Sequence, residues 1–475
     1  MLVNVLTLGC KLNQLESESI ADSFRQRGFD IFCPDGSEPP PLPVSGSSSG
    51  TAGIGQPLVI INTCTVTSKS EQKARRIISK TLRDLPESVV IITGCYAQME
   101  EEALRSVNGF DDPRVFVIPQ VEKGRLLELP GFLVSAGFPA KTGSPDAGLL
   151  CSAVKTWVSM PAVNTADYDF CYNPGRFTFH SRAFLKIQDG CDNQCAYCRT
   201  SLARGKSRSL DPQKTLSALQ ALEENGYNEA VLTGVNISQY RGGENSGLAD
   251  LLGLLLSGTQ KIRLRLSSIE PEPGTFSDVF LKNVSHPRIR PHFHISLQSG
   301  SSSVLQMKRR YTPEQAMEGV RLLRSVKDDP FLGCDIITGF PGSSAADFEK
   351  TFDFCAEAGF AGIHAFPFSR RPGTEAWHYT ERVTEHEAGL RAARLIKLAK
   401  KQRTEYIERW TGRDIEAIVE ALPDKTTPYI PLLSENYLKL IIGKNEGSSP
   451  KAGGIVRCRI KEKLAKSRYD ALAEI

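Results

Sequence analysis

Short apolar runs and helical periodicities alternate over residues 1–125. Leu2–Leu8 is a continuous apolar run, which predicts a buried strand, and Leu15–Arg27 has apolar residues at helical spacing up to Gly28. Leu58–Asn62 and Val89–Thr93 repeat the strand pattern, with the basic amphipathic stretch Ser68–Arg83 between them. Repeated strand-then-helix units predict an α/β domain built on a parallel sheet, whose ligands sit beyond the carboxyl ends of the strands. Pro34–Gly55 interrupts the pattern. Its Pro, Ser and Gly cannot bury a core, so residues 34–55 are expected to be an exposed insertion. Leu127–Phe179 shows little repeated pattern and reads as a linker, covering about 126–180.

The rhythm resumes at Ala183. Six β-rich runs end near Asp189, Val235, Ile269, Leu297, Phe340 and Ser369, with helical stretches such as Pro212–Asn225, Pro313–Val326 and Ala345–Ala358 between them. Six βα units over 181–380 suggest a partial barrel, since a complete one has eight; the pattern alone leaves an open doubly wound sheet as the alternative. A long basic helix is expected within 381–410, carrying Arg391, Arg394, Lys397, Lys400, Lys401 and Arg403. Over 411–475 short β-like runs (Ile415–Ala421, Tyr437–Ile442, Gly454–Ile460), separated by Gly, Pro and Ser, predict a small β-barrel. Three folded units agree with the prior of about three domains for this length.

Composition alters this picture at one point. The chain is 40% hydrophobic and 24% charged, ordinary values, and its net charge of +4 does not by itself announce a nucleic-acid binder. Neither a secretory leader nor an apolar run of membrane-spanning length is found, so a cytoplasmic, reduced protein is expected. The exception is the 12 cysteines, too few for a disulfide scaffold and in places too close together for scattered core residues. In a reduced compartment, close-set cysteines read as metal ligands or catalysts.

Cys191, Cys195 and Cys198 form C-x3-C-x2-C directly after the strand Phe184–Gln188. A zinc site would want a fourth ligand, and none lies nearby at suitable spacing. Three thiolates suit instead a [4Fe–4S] cluster with one iron open to a substrate or cofactor, with Tyr197 beside the open position. Cys10, Cys64 and Cys95 are far apart in sequence, yet each falls just past a predicted strand. In a parallel sheet those strand ends share one edge, so the three sulfurs can meet. A buried small hydrophobe is the competing reading for each cysteine alone. The other six, Cys33, Cys151, Cys171, Cys334, Cys355 and Cys458, show no convergent spacing.

The loop G-C-D-N-Q-C-A-Y-C (Gly190–Cys198) resembles that of the radical S-adenosylmethionine superfamily, where it follows the first strand of a partial (β/α)6 barrel. T-L-G-C-K-L-N-Q-L-E-S-E (Thr7–Glu18), I-N-T-C-T-V-T (Ile61–Thr67) and T-G-C-Y-A-Q (Thr93–Gln98) resemble the methylthiotransferase family, which carries a second [4Fe–4S] cluster on such a triplet. Further matching blocks are Arg182–Gly190, Leu232–Asn236, Leu266–Pro271, Leu297–Ser301, Arg309–Thr312, Asp335–Gly342 and Arg371–Thr374. The C-terminal barrel resembles the RNA-binding TRAM domain. The loop around Cys10 is most like the branch acting on N6-threonylcarbamoyladenosine at tRNA position 37, beside the anticodon. Sister branches act on isopentenyladenosine or on a ribosomal-protein aspartate.

The resemblance implies replacement of the adenine C2–H by S–CH3. The bond is unactivated, which calls for a radical. One S-adenosylmethionine would methylate a sulfur on the Cys10/Cys64/Cys95 cluster, and a second, at the Cys191/Cys195/Cys198 cluster, would yield the radical. Thr233, Gly234, Val235 and Asn236 at one strand end, and Ser268 and Glu270 at the next, are candidates for holding that cofactor, with Gln298 and Asp335 weaker ones. Lys186 reads equally as a snorkelling strand residue. Arg204, Lys206 and Arg208 are candidates for phosphate or a substrate carboxylate, although Ser201-Leu202 stands where the family usually has Pro-Tyr. The basic helix, with Arg457, Arg459, Lys461, Lys463, Lys466 and Arg468, would offer a surface to a tRNA anticodon loop. An electron donor such as flavodoxin or ferredoxin and a sulfur donor complete the implied partners. An RNA-binding protein with merely structural clusters is the reading of a different class.

Overall fold

The computed structural model describes residues 1–32, 58–105, 112–138, 146–161, 170–177, 180–243, 246–302, 307–309, 311–421, 427–444, 450–465 and 467–475. The expected insertion at 34–55, with Cys33, lies outside these. No described helix is long and apolar enough to cross a membrane. The chain forms two compact units, Met1–Phe179 with Arg199–Lys206, and His180–Cys198 with Ser207–Ile475.

The first unit is a parallel sheet of β1 (Leu2–Thr7), β2 (Asp30–Phe32), β3 (Leu58–Thr63), β4 (Val89–Gly94) and β5 (Val115–Pro119), in the order β2-β1-β3-β4-β5. Its central strands read as unbroken apolar runs because both faces are covered. Val3, Leu58, Ile60 and Ile91 point to one side, into a core completed by Ile20 and Phe24 of the helix Lys11–Gln26. Val59, Ile61, Val90 and Ile92 point to the other, against Ala74, Ile78 and Leu82 of the helix Ser68–Asp84. The stretch 127–179 differs from the expected linker. It contains the helices Leu129–Ser135 and Ala147–Ser159, whose Leu129, Leu133, Leu150, Val154 and Trp157 join the first of these cores. Leu129–Ser135 spans only seven residues, too few to establish a helical period.

In the second unit six parallel strands follow in sequence order: β6 (Ala183–Lys186), then, past the small ribbon β7 (Gln188–Asp189) with β8 (Arg208–Ser209), β9 (Glu229–Thr233), β10 (Arg263–Leu266), β11 (His292–Gln298), β12 (Phe331–Thr338) and β13 (Gly362–Pro367). Ladders join β6-β9-β10 and β11-β12-β13, and the bridges Leu264–Ile289 and Ile269–Ile295 connect the two sets. A doubly wound sheet must reverse its strand order at a switch point; this one does not, which makes it the partial barrel. After the helix Glu385–Trp410 comes a closed barrel of β14 (Asp414–Val419), β15 (Tyr429–Ser434), β16 (Lys439–Gly443), β17 (Ile455–Lys463) and β18 (Ala471–Glu474).

A buried charge cluster fastens this small barrel to the larger one. Glu229 of β9, fully buried, takes Arg265 at 2.7 Å and Arg290 at 2.8 Å. Arg290 and Arg263 also hold Glu416 of β14, at 2.5 and 2.8 Å. The Arg265 guanidinium donates to the carbonyls of Ser434 and Glu435. Burial would raise the Glu229 carboxyl, but Arg265 and then Arg290 hold it down to about 2. A carboxyl depressed from its ordinary 4.5 stabilises the fold above pH 4.5, and that contribution is lost as pH falls towards about 2. Glu229→Gln should therefore flatten the acid limb of the stability–pH curve in denaturant titrations. Glu229→Ala, which leaves two guanidinium groups buried without their carboxylate, should cost about 3–5 kcal/mol at neutral pH.

Candidate active site: two cysteine triplets

Each N-terminal cysteine stands at the carboxyl end of its strand. Cys10 precedes the helix Lys11–Gln26 after β1, Cys64 follows β3, and Cys95 opens the helix Cys95–Met99 after β4. These strands are immediate neighbours in the sheet, so the three loops share one edge. Close approach depends on two glycines. At Gly9 (φ +107°) a Cβ would lie 2.7 Å from Cys64 Cβ and 2.9 Å from its Sγ. At Gly94 (φ +101°) a Cβ would lie 2.3 Å from the Thr63 carbonyl oxygen. Burial, and then the neighbouring thiols of Cys10 and Cys95, push Cys64 up to about 12. Thiols so crowded resist becoming thiolates together unless a cationic centre sits among them, which is the chemistry of an iron–sulfur ligand set.

A buried polar network backs this triplet. Arg204 donates from Nε to Cys95 Sγ at 3.3 Å, and its two terminal nitrogens reach Glu16 at 2.9 and 3.1 Å. Lys123 Nζ meets the same carboxylate at 2.5 Å. Arg204 is therefore not the exposed phosphate or carboxylate anchor that its R-G-K-S-R-S context suggested: it is 3% exposed and faces the sulfurs. Lys206 and Arg208 do remain exposed. Ser201 and Leu202 lie in the short helix Thr200–Arg204, with Leu202 exposed.

The second triplet follows β7. The Cys198 amide donates to the Cys195 carbonyl, turning the loop tightly. Burial, with the thiols of Cys198 and Cys195 close by, pushes Cys191 up to about 12. Arg309 donates to Cys195 Sγ at 3.3 Å and to the Tyr197 hydroxyl at 3.2 Å, and pairs with Glu270 at 2.6 Å. The other Glu270 oxygen accepts from Asn193 and Asn236, each at 2.6 Å. Glu270 thus clamps the cysteine loop to two strand ends, a function its motif did not disclose. The Asn236 side-chain oxygen also caps the turn Ile237–Gln239, and the Asn236 backbone N–H donates to Gln188 Oε1 at 2.9 Å. The Thr233 carbonyl accepts from Ile187, Gly234 packs on Gln188, and Ser268 is half-buried. Gln298 has φ +63°, an uncommon conformation for this residue type, at the carboxyl end of β11. Lys186 forms a buried pair with Asp189 at 2.5 Å.

Asp335 belongs to a group that sequence reading missed in part. His294 Nε2 lies 3.0 Å from one Asp335 oxygen and His364 Nδ1 lies 3.3 Å from the other. Burial would raise this carboxyl; the hydrogen bonds from His294 and His364 hold it well below the usual range. The donor atoms lie within 4.8 Å of one another, the donor set of a two-histidine, one-carboxylate cation site, although the imidazoles already satisfy the carboxylate. The signal was the period-two spacing of F-H-I-S-L-Q and G-I-H-A-F-P, which turns each histidine to the face away from the buried isoleucine beside it in sequence.

Residues 185–355 match the model of the radical SAM superfamily, and residues 54–113 that of an uncharacterized protein family, UPF0004. The solved radical S-adenosylmethionine methyltransferase TsrM from Kitasatospora setae is similar in fold. It has a TM-score of 0.50 at 15% identity, covering 79% of this chain and 76% of that one. The fold and the matched segment, which contains Cys191, Cys195 and Cys198, define a radical S-adenosylmethionine enzyme. The threonylcarbamoyladenosine tRNA methylthiotransferase MtaB of Treponema pallidum (strain Nichols) is 40% identical, covering 96% of this chain and 98% of the relative. That of Bacillus subtilis (strain 168) is 30% identical over 96% of this chain and 92% of its own length. A tRNA-2-methylthio-N(6)-dimethylallyladenosine synthase of Wolbachia pipientis wMel is 29% identical, over 87% of each chain. The chain belongs to the threonylcarbamoyladenosine tRNA methylthiotransferase family. It is a transferase that works on tRNA by radical chemistry, with [4Fe–4S] clusters and S-adenosylmethionine as cofactors.

The glycine geometry can be tested directly. Gly94→Ala should lower stability by about 1–3 kcal/mol from the positive φ alone. Because the clash is with strand backbone, it should also reduce the iron retained after anaerobic reconstitution. Thermal unfolding and iron analysis, beside the solvent-facing control Gly389→Ala, check both.

Proposed function

We propose that the protein replaces the C2–H of N6-threonylcarbamoyladenosine at position 37 of tRNA by a methylthio group, with S-adenosylmethionine as both methyl donor and radical source. The observation that carries the reading is the second triplet, Cys10, Cys64 and Cys95, gathered at one sheet edge in a chain that already has Cys191, Cys195 and Cys198 on a radical-type loop. When bound, the clusters and S-adenosylmethionine supply the electron, the carbon-centred radical and the methylated sulfur. The protein's own share is positional. Glu270, held by Arg309, Asn193 and Asn236, fixes the loop carrying Cys191–Cys198, and Thr233, Gly234, Ser268 and Gln298 line adjoining strand ends where the cofactor's methionine and ribose would be held.

Substrate RNA would lie on the basic and aromatic surface of the C-terminal barrel. Arg468 stacks over Tyr469, whose ring meets Tyr429 edge-on at 5.4 Å, a combination suited to unstacked bases of an anticodon loop. The helix Glu385–Trp410 contributes less than its charge suggested. Arg391 pairs with Glu387, Arg394 with Glu349 and Arg403 with Asp470, which leaves Lys397 and Lys400 among the exposed cations. Lys466 lies outside the described residues. Delivery of electrons by a flavodoxin- or ferredoxin-like protein, a separate sulfur donor and a cytoplasmic location complete the proposal.

Mass spectrometry of tRNA nucleosides from a deletion strain tests the substrate. Loss of the methylthio form of threonylcarbamoyladenosine is expected; its persistence, with loss of the isopentenyladenosine product instead, would assign the chain to the sister reaction. In purified protein Cys195→Ala should abolish 5′-deoxyadenosine formation. Cys10→Ala should keep that formation and stop methylthiolation. A wild-type protein that binds iron and RNA but never releases 5′-deoxyadenosine would instead be a binding module.

A further inference from the structure

Arg204 lies six positions after Cys198 in sequence, yet the segment Arg199–Lys206 folds as part of the first unit. Within that unit it is held at two points. Arg199 pairs with Glu71 at 3.2 Å and with Glu100 at 2.8 Å, and Arg204, at the last position of its short helix before Gly205 (φ +74°), enters the network behind the N-terminal cysteines.

The geometry of that network is directional. The Glu16 carboxylate takes both terminal nitrogens of Arg204, one per oxygen, which fixes the plane of the guanidinium and leaves Nε aimed at Cys95 Sγ, 3.3 Å away. Arg204 also donates to Asn13 Oδ1 at 3.0 Å. The Asn13 amide in turn donates to the carbonyl of Leu8, two residues before Cys10, at 2.7 Å, and to that of Thr63, one residue before Cys64, at 3.0 Å. One guanidinium is therefore linked to all three cysteine-bearing loops: to Cys95 directly, and to the other two through a single asparagine. Arg204 is 3% exposed. Unlike a lysine, an arginine does not shed its proton on burial, so the charge it brings beside the sulfurs is fixed.

We infer that Arg204 is a positioning residue for the cluster on Cys10, Cys64 and Cys95, setting that cluster's reduction potential and its retention. The inference rests on the reading of this triplet as cluster ligands. Hydrogen bonds and positive charge at a ligand sulfur stabilise the more reduced, more negative state of a cluster and raise its potential. Losing them lowers it. The same residue is distant in role from radical generation, because every contact described for it lies within the first unit.

The test uses the full-length protein, reconstituted anaerobically with iron and sulfide, as wild type, Arg204→Met and Arg204→Lys. Wild type should hold about eight iron per chain, four for each cluster. In Arg204→Met the N-terminal cluster's potential, followed by redox titration with electron paramagnetic resonance, should move to more negative values, or its iron should be lost, leaving about four per chain. Methylthiolation should fall about tenfold or more, while reductive cleavage of S-adenosylmethionine stays within roughly twofold of wild type. Arg204→Lys keeps the charge but not the fork, and should restore iron without restoring the potential. Should Arg204→Met not fold, the lysine variant decides: a shifted potential supports the inference. About eight iron with unshifted potentials in Arg204→Lys, and in Arg204→Met where it folds, would overturn it. Only about four iron in the wild type would instead overturn the reading of the triplet itself.

Discussion

Parallel pairing in register is the constraint on which both sites depend. In the first unit Thr7 pairs with Asn62, and Thr63 with Gly94, so β1, β3 and β4 end level with one another. Three cysteines placed just past those ends need no further search to meet. The second unit applies the same rule along six strands, with its cysteine loop after β7 and Asn236, Glu270 and Gln298 at or just past the ends of β9, β10 and β11. In each case the sheet supplies convergence, and the loops need only be short and tightly turned.

Convergence alone would leave the loops free to splay, and the chain answers with buried arginines rather than apolar packing. Arg309 and Arg204 each donate to one cysteine sulfur at 3.3 Å, and each is oriented by one buried glutamate; Asn193 donates to Glu270, whereas Asn13 accepts from Arg204 itself. Glu229 with Arg265 and Arg290 uses the same elements with no sulfur, where two β-structures must keep their relation. A guanidinium is suited to this work because its donors are planar and its charge is permanent. Removing any one partner strands the others without water, which makes such networks specific but unforgiving.

What could be read from sequence follows from how local the physics is. Strands buried on both faces announce themselves as unbroken apolar runs, and C-x3-C-x2-C carries its chemistry in its spacing. Cys10, Cys64 and Cys95 required one topological step, from strand ends to a shared edge. Long-range polar partnerships offered no such handle. Nothing near Arg204 in sequence indicates Glu16, and its neighbours Lys206 and Arg208 made it look like part of an exposed basic turn. The basic helix misled for the same reason: Glu349 and Asp470, which occupy Arg394 and Arg403, come from elsewhere in the chain. The helix at 129–135 was missed because seven residues are too few to establish a period; Ala147–Ser159 was missed although it is as long as Pro212–Glu224, which was read.

The chain passes between its two units three times, at 179/180, 198/199 and 206/207. A ribosome delivers residues in order, so the first unit cannot be finished when its own sheet has emerged. It waits for Arg199–Lys206, which are made only after Cys191, Cys195 and Cys198. During synthesis the N-terminal cysteines therefore remain without Arg204 until Cys198, the last cysteine of the other loop, exists. No single cut yields both units whole, and the gene for one could not be separated from the other by simple truncation.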